Sequence, residues 1–263
     1  MKTGSKEMKR RARMALTGNY FPAVSMTLSL ALFSAALTLL LESSGLYPST
    51  RPVNQVLYWI LYGITLLLNA LLETGLIRFL YSLCRKQPLR ERGLLFYAFR
   101  NQPDTFILTY AFRYLVTLIW FVPALYFYTR IPLVIDPANI PADLFRNAGL
   151  ALLLAAAALI PAVLFALPYC LASYVLLDDP DLSSIQALRT SRELMRGNHG
   201  RVFLLWLGYL PLLLLGLGSL GIGFLWIRPY FHTAMGEVYL ELRGQTASTA
   251  QKTDAENAGN SFR

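Results

Sequence analysis

The sequence predicts an all-α fold: a polytopic membrane helical bundle of about six transmembrane helices, with two amphipathic helices on its cytoplasmic side. Three observations carry that expectation. Of 263 residues, 55% are AVILMFWYC and only 15% are charged, where a soluble domain runs nearer a quarter charged. The apolar residues gather in runs long enough to cross a bilayer, and Lys and Arg alternate between the loops joining those runs. The shortage of charge excludes an ordinary soluble domain and a disordered chain. A net charge of +9 would suit nucleic acid, but beside such runs it points to a membrane surface, so no nucleic-acid partner is expected. Cys84 and Cys170 are far apart and lie in or beside apolar runs. They form no disulfide framework and give no sign of an oxidising compartment.

The first run, Phe21–Leu41, contains no charge. At 1.5 Å per residue it covers a hydrocarbon core of about 30 Å. The basic stretch before it resembles the start of a signal peptide, but the apolar core is too long and no small-residue cleavage site follows, so it is expected to be retained. Val53–Ile77 is interrupted only by Glu73, and Thr105–Tyr128 carries Arg113. Ala148–Leu177 is longer and holds Pro161 and Pro168, which predicts tilt or a kink. Val202–Leu217, with Pro211 inside it, rises only about 24 Å as helix. Gly218, Gly221 and Gly223 then break the pattern before a sixth, less apolar segment, Phe224–Leu242. The alternative for this last pair is one span over Val202–Trp226 followed by an interfacial helix.

Six basic residues precede the first run: Lys2, Lys6, Lys9, Arg10, Arg11 and Arg13. The successive loops then hold Arg51 alone; six from Arg78 to Arg100; Arg130 and Arg146; four from Arg189 to Arg201; and none in the Gly-rich turn. Three follow from Arg243 onward. The positive-inside rule turns this alternation into an even number of crossings with both termini cytoplasmic, in the cell membrane. Residues 1–19 are then a basic amphipathic helix, 20–243 a membrane domain, and 244–263 a polar tail whose composition predicts disorder. No stretch outside the runs exceeds about 30 residues, which leaves no room for a soluble catalytic domain.

Two segments echo one another. Arg13-Met14-Ala15-Leu16-Thr17-Gly18-Asn19 precedes the first run, and Arg192-Glu193-Leu194-Met195-Arg196-Gly197-Asn198 precedes the fifth. Gly follows helices readily because it adopts positive φ, so each motif predicts the end of a helix and a turn into the bilayer. In the first helix Met8, Ala12, Ala15 and Leu16 share a face while Lys6, Lys9, Arg10 and Arg13 occupy the rest. That pattern predicts a helix lying on an anionic cytoplasmic leaflet, with those four cations touching lipid. The second helix is expected to start at Asp179, capped there, with Pro180 in its first turn and Leu182, Ile185, Leu188 and Met195 as its apolar stripe. The echo is what a duplicated membrane unit would leave, and a shared helix stop would leave it too.

Several motifs together resemble a bacterial multi-pass membrane family, common in Firmicutes, catalogued as domain of unknown function 975. They are Arg13-x-x-Leu16-x-Gly18-Asn19-Tyr20, Gly75-Leu76, Phe96 with Phe99, Leu177-Asp178-Asp179-Pro180, Ser191 to Asn198, and Gly221-Ile222-Gly223-x-x-Trp226-x-x-Pro229-Tyr230. The resemblance spans about Lys9 to Leu242, and Arg228 departs from the more apolar residue expected there. It implies a multi-helical membrane fold and carries no activity, substrate or site.

The search for chemistry is mostly negative. His199 sits in a polar turn and His232 in the sixth segment; no metal-ligand spacing, nucleophile elbow or phosphate loop appears. No catalytic residue, metal or cofactor is therefore expected. Asp178, Asp179 and Asp181 are explained by a helix start, and Gly218 to Gly223 by a helix break. The informative residues are ionisable groups within the runs: Glu73, Arg113, Arg228, His232 and Glu237. A charge at the bilayer centre costs about 2.5–3.5 kcal/mol on insertion scales, so such groups face the bundle interior and pair. Arg113 lies about 13 Å past Asp104 by helical rise, which makes Glu73 or Glu237 its expected partner. Glu73, Arg113, His232 and Glu237 form the expected intramembrane polar cluster, with Arg228 left to snorkel. Two functions follow. The first is a non-enzymatic membrane protein acting through lipid or a protein partner. The second is a small-solute transporter or permease subunit with a polar site at mid-depth, a reading that proline-broken helices also suit.

Overall fold

Apolar runs without an alternating pattern bury their backbone polar groups only as helix, and helix is what they form. The structure, a computed structural model, describes residues 4–45, 52–86, 93–128 and 143–260. Lys2, Arg51, Arg90, Arg92, Arg130 and Arg263, counted above for orientation, lie outside the described residues. No strand occurs among the described residues. The helices are α1 (Ser5–Leu16), α2 (Tyr20–Ser43), α3 (Pro52–Cys84), α4 (Tyr97–Arg100), α5 (Pro103–Leu118) and α6 (Val122–Tyr128). Then come α7 (Leu144–Ala166), α8 (Ala172–Asp178), α9 (Ser184–Met195), α10 (His199–Leu207), α11 (Leu210–Gly218) and α12 (Phe224–Asn260).

Five helical stretches are long and apolar enough to cross a membrane: Tyr20–Ser43, Val56–Cys84, Pro103–Tyr128, Leu144–Asp178 and His199–Gly218. They match the first five runs. The sixth segment, Phe224–Leu242, forms the first half of α12 and packs against α1, α2 and α3. Its Ala234, Met235, Val238, Tyr239 and Leu242 are buried. α12 runs on to Asn260, through the polar stretch for which composition predicts disorder; Ala247, Ala250, Gln251 and Lys252 are all good helix formers.

Three prolines lie at breaks in the long stretches, where a ring lacking an N–H is tolerated. A 3-10 turn at Ile119–Phe121 joins α5 to α6 just before Pro123. Another, at Leu167–Tyr169 and holding Pro168, joins α7 to α8. Pro211 lies in the first turn of α11. Pro161 and Pro229 sit inside α7 and α12.

The two amphipathic helices, each of 12 residues, end in the same backbone turn. Thr17 has φ −58° and ψ 126°, Gly18 φ +83°, and Asn19 φ −121°. Arg196, Gly197 and Asn198 give φ −58° with ψ 122°, φ +76° and φ −122°. The Asn19 N–H donates to the Leu16 carbonyl at 2.8 Å, and the Asn198 N–H to that of Met195 at 2.9 Å. This is a type II turn, whose third position requires positive φ and therefore glycine. Matching positions are buried as well: Met8, Ala12 and Leu16 in α1, Ala187, Ser191 and Met195 in α9.

One expectation for these helices is corrected. α9 begins at Ser184 rather than at Asp179, because Ser183 and Gln186 form a reciprocal capping box; Ile185 of the expected stripe is exposed. α1 packs on α12, α10 and α3; of its five cations Lys9 is partly buried and donates to the Gly208 carbonyl, while Arg13 stays exposed.

At Gly75 two backbone segments come into close contact. A Cβ there would lie 2.2 Å from the Leu94 carbonyl oxygen and 2.5 Å from the Leu95 Cα, so only glycine lets the segment before α4 rest against α3.

Candidate functional site

Glu73 lies near the end of the second apolar run, one position before the buried Thr74. α12 passes alongside α3 and presents Arg228 and His232, one helical turn apart, to the Glu73 carboxylate. The Arg228 guanidinium approaches it at 2.8 Å through Nη2 and donates from Nε at 3.2 Å. His232 Nε2 is 2.9 Å from the same oxygen. The three side chains retain 21%, 36% and 15% exposure for Glu73, Arg228 and His232, so the cluster is mostly enclosed and Arg228 forms its outer edge. Arg228 also borders an apolar cavity of about 500 Å³ lined by Trp206, Tyr209, Leu213, Phe224 and Phe231.

A second polar chain starts at the next residue of α3. The hydroxyls of Thr74 and Tyr110 are 2.9 Å apart. The Ser173 hydroxyl donates to that of Tyr110 at 3.2 Å, and Arg113 Nη1 donates to Ser173 at 3.4 Å. The Arg113 guanidinium also lies 5.5 Å from the centre of the Tyr110 ring, within cation–π range. Arg113 is thus held by α5 and α8 rather than by either glutamate. The structure brings Glu73 and His232 together, adds Arg228, and leaves Arg113 and Glu237 apart from them. Glu237 lies beside Cys84, within the electrostatic reach of Arg11 and Lys86. Counting residues along a run fixes depth but not the face of the helix, so it could not choose among the partners. Thr74, Tyr110 and Ser173 went unnoticed because uncharged hydroxyls do not stand out in a count of charges.

The cations of α1 divide in two. Lys9 donates to the Gly208 carbonyl and lies 4.7 Å from the Tyr209 ring centre. Its withdrawal from water, with Arg13 nearby, pushes its ammonium below the ordinary lysine range. Arg13 donates to the Tyr230 hydroxyl at 3.3 Å, and that hydroxyl donates to the Lys9 carbonyl at 3.3 Å. Lys6, Arg10 and Arg13 are all exposed. Arg10 donates to Glu7 at 2.8 Å, a bond that holds the Glu7 carboxyl below its usual range.

The aspartates expected to start α9 act instead as a clamp. Asp178 accepts from Arg85 at 2.7 Å and from the Tyr239 hydroxyl at 3.2 Å, and it pairs with Arg243. Asp179 pairs with Arg243 at 3.1 Å. The C-terminal ends of α3 and α8 are joined there to the middle of α12. Between Tyr239 and Arg243 on α12, Glu241 meets Arg201 of α10 at 2.7 Å. Among the described residues, no group of three or more His, Cys, Asp or Glu side chains is placed to hold a metal.

No curated protein and no solved structure matches the chain. One family profile does, over residues 1–246, and its description is "Protein of unknown function (DUF975)". With nearly the whole chain matched, from the first amphipathic helix through the clamp to the end of the buried part of α12, the chain belongs to that family.

Proposed function

We propose that this is a non-enzymatic, multi-pass protein of a bacterial cytoplasmic membrane, with both termini cytoplasmic, acting through contact with lipid or a protein partner. The observation that supports it most directly is the fate of the intramembrane carboxylate. Glu73 is held by Arg228 and His232 within the bundle, so its charge serves packing. A pair broken on one side leaves a stranded charge, which is why such groups hold helices in register. Outward, α7 presents Leu152, Leu153, Leu159, Ile160 and Leu164, a face suited to acyl chains.

The transporter reading rests on one observation, the apolar cavity that Arg228 borders. A single experiment separates the two. His232→Cys in intact membranes is treated with a membrane-impermeant thiol reagent. Contact-mediated function predicts no labelling from either side, whereas labelling from one side, blocked by a transported solute, would establish a water-filled path and replace the first reading by the second.

A further inference from the structure

A cavity of about 600 Å³ opens between α1, the start of α2, the end of α3 and α12. Its wall carries both signs of charge: Arg11 and Lys86 as cations, Glu237 as the anion, with Asn19 as a neutral polar group. Among the described residues no ion pair joins Glu237 to either cation, although their fields reach it. Arg11 makes one long contact, 3.4 Å, to Glu7, and Lys86 is exposed. Met14 and Leu83 supply an apolar side to the same cavity. Leu83 lies in the last turn of α3 and Asn19 in the turn before α2, so the cavity sits where apolar helix gives way to polar chain. That is headgroup depth in a bilayer.

The size is that of a small-molecule site, about 300–1,000 Å³, and the charge pattern selects among occupants. A free phosphate or a purely anionic headgroup suits Arg11 and Lys86 but is repelled by Glu237. A simple amine meets the reverse. A group carrying a phosphate and an ammonium a few bonds apart satisfies all three with charge-assisted hydrogen bonds. We propose that this cavity binds the headgroup of an amine-bearing zwitterionic phospholipid, the phosphate on Arg11 and Lys86, the ammonium on Glu237, and the glycerol end along Met14 and Leu83. The proposal rests on the membrane reading above and names the lipid that reading leaves open.

The test uses the full chain, purified in detergent with equal amounts of phosphatidylethanolamine and phosphatidylglycerol of identical acyl chains. Lipid retained is measured by native mass spectrometry. The wild type is expected to favour phosphatidylethanolamine by about tenfold, the effect of one charge-assisted hydrogen bond. Glu237→Gln should abolish the preference while leaving phosphatidylglycerol bound. The double variant Arg11→Gln with Lys86→Gln should lose both lipids, which keeps the proposal testable should Glu237→Gln fold poorly. Soluble O-phosphoethanolamine should compete only weakly, because it lacks the glycerol end. Equal retention of the two lipids by the wild type, an unchanged preference in Glu237→Gln, or binding of O-phosphoethanolamine without lipid preference would each overturn the assignment. Failure of the membrane reading itself would look different: the protein would leave the membrane fraction without detergent.

Discussion

Glu73 and His232 occupy corresponding places on two helices and meet face to face, with 2.9 Å between carboxylate and imidazole. Each is followed by a buried threonine whose hydroxyl donates to the carbonyl four residues back: Thr74 to Ala70 at 3.0 Å, Thr233 to Pro229 at 2.8 Å. The buried positions after them also match, Leu76, Phe79, Leu80 and Leu83 against Met235, Val238, Tyr239 and Leu242. Together with the twin turns after α1 and α9, this lays two units of amphipathic helix, turn, apolar helix and return helix side by side. The seam between them is where the charges sit.

The first prediction concerns that seam. Arg228→Leu leaves the Glu73 carboxylate with His232 alone and should lower thermal stability in detergent. With Arg228 partly exposed, the loss should fall short of the about 3–5 kcal/mol of a fully buried pair. Adding Glu73→Gln should restore part of it. The same Glu73→Gln change should not rescue Arg113→Leu, whose partners are Ser173 and Tyr110. Rescue of Arg113→Leu would show that Arg113 and Glu73 are coupled after all.

A second prediction contrasts two glycines of one helix. Gly75→Ala drives a methyl group into the backbone at Leu94 and Leu95, which cannot give way as a side chain does, and should cost about 1–3 kcal/mol. Gly63, with nothing within 4 Å of its Cβ position, should gain up to about 1 kcal/mol on change to Ala through helix propensity. Melting curves in detergent separate the two, at about 2–4 °C per kcal/mol for a chain of this size.

The twin turns give a third. Gly18 and Gly197 share positive φ and have open space around them, so alanine meets backbone strain alone at both. Each change should cost about 1–2 kcal/mol, and the two losses should be alike and additive. A large difference between them would mean that the shared geometry hides different surroundings.

The aspartate clamp gives a fourth. Asp178→Asn weakens bonds to Arg85, Tyr239 and Arg243 together and should cost about 1.5–3 kcal/mol. Asp181→Asn, on the exposed turn nearby, should stay within about 0.5 kcal/mol of the parent. Equal effects would show that the aspartates act only through the start of α9.

Topology gives the last. Reporter fusions at Ser44 and at Arg243 should report opposite sides of the membrane, as an even number of crossings demands. The same side for both would reduce α12 to an interfacial helix.

The first five apolar helices were legible because a lipid-facing helix needs only length and an absence of charge, both of which survive in one dimension. The two glycine turns were legible because positive φ leaves glycine as its mark. What escaped was whatever depends on distant chain. Asp178-Asp179-Pro180 and Ser183-x-x-Gln186 are both plausible helix starts. The second prevails where Arg85 and Arg243, brought from other helices, engage the aspartates. Arg228 resembled a snorkelling residue until α3 lay beside it. Lys9 and Arg13 fitted a membrane-surface pattern, and nothing local announces that Gly208, Tyr209 and Tyr230 will take them.

That docking of α1 has a consequence for how the protein is made. Lys9 and its acceptor at Gly208 are separated by 199 positions. At the usual rate of about 5–20 residues per second, α1 leaves the ribosome roughly 10–40 s before its seat is complete. For most of that interval α3 is the part of its seat already made, against which Leu16 packs, while α10 and α12 are still to come. The contacts of Lys9 and Arg13 with Gly208, Tyr209 and Tyr230 therefore close only after most of the chain has been made.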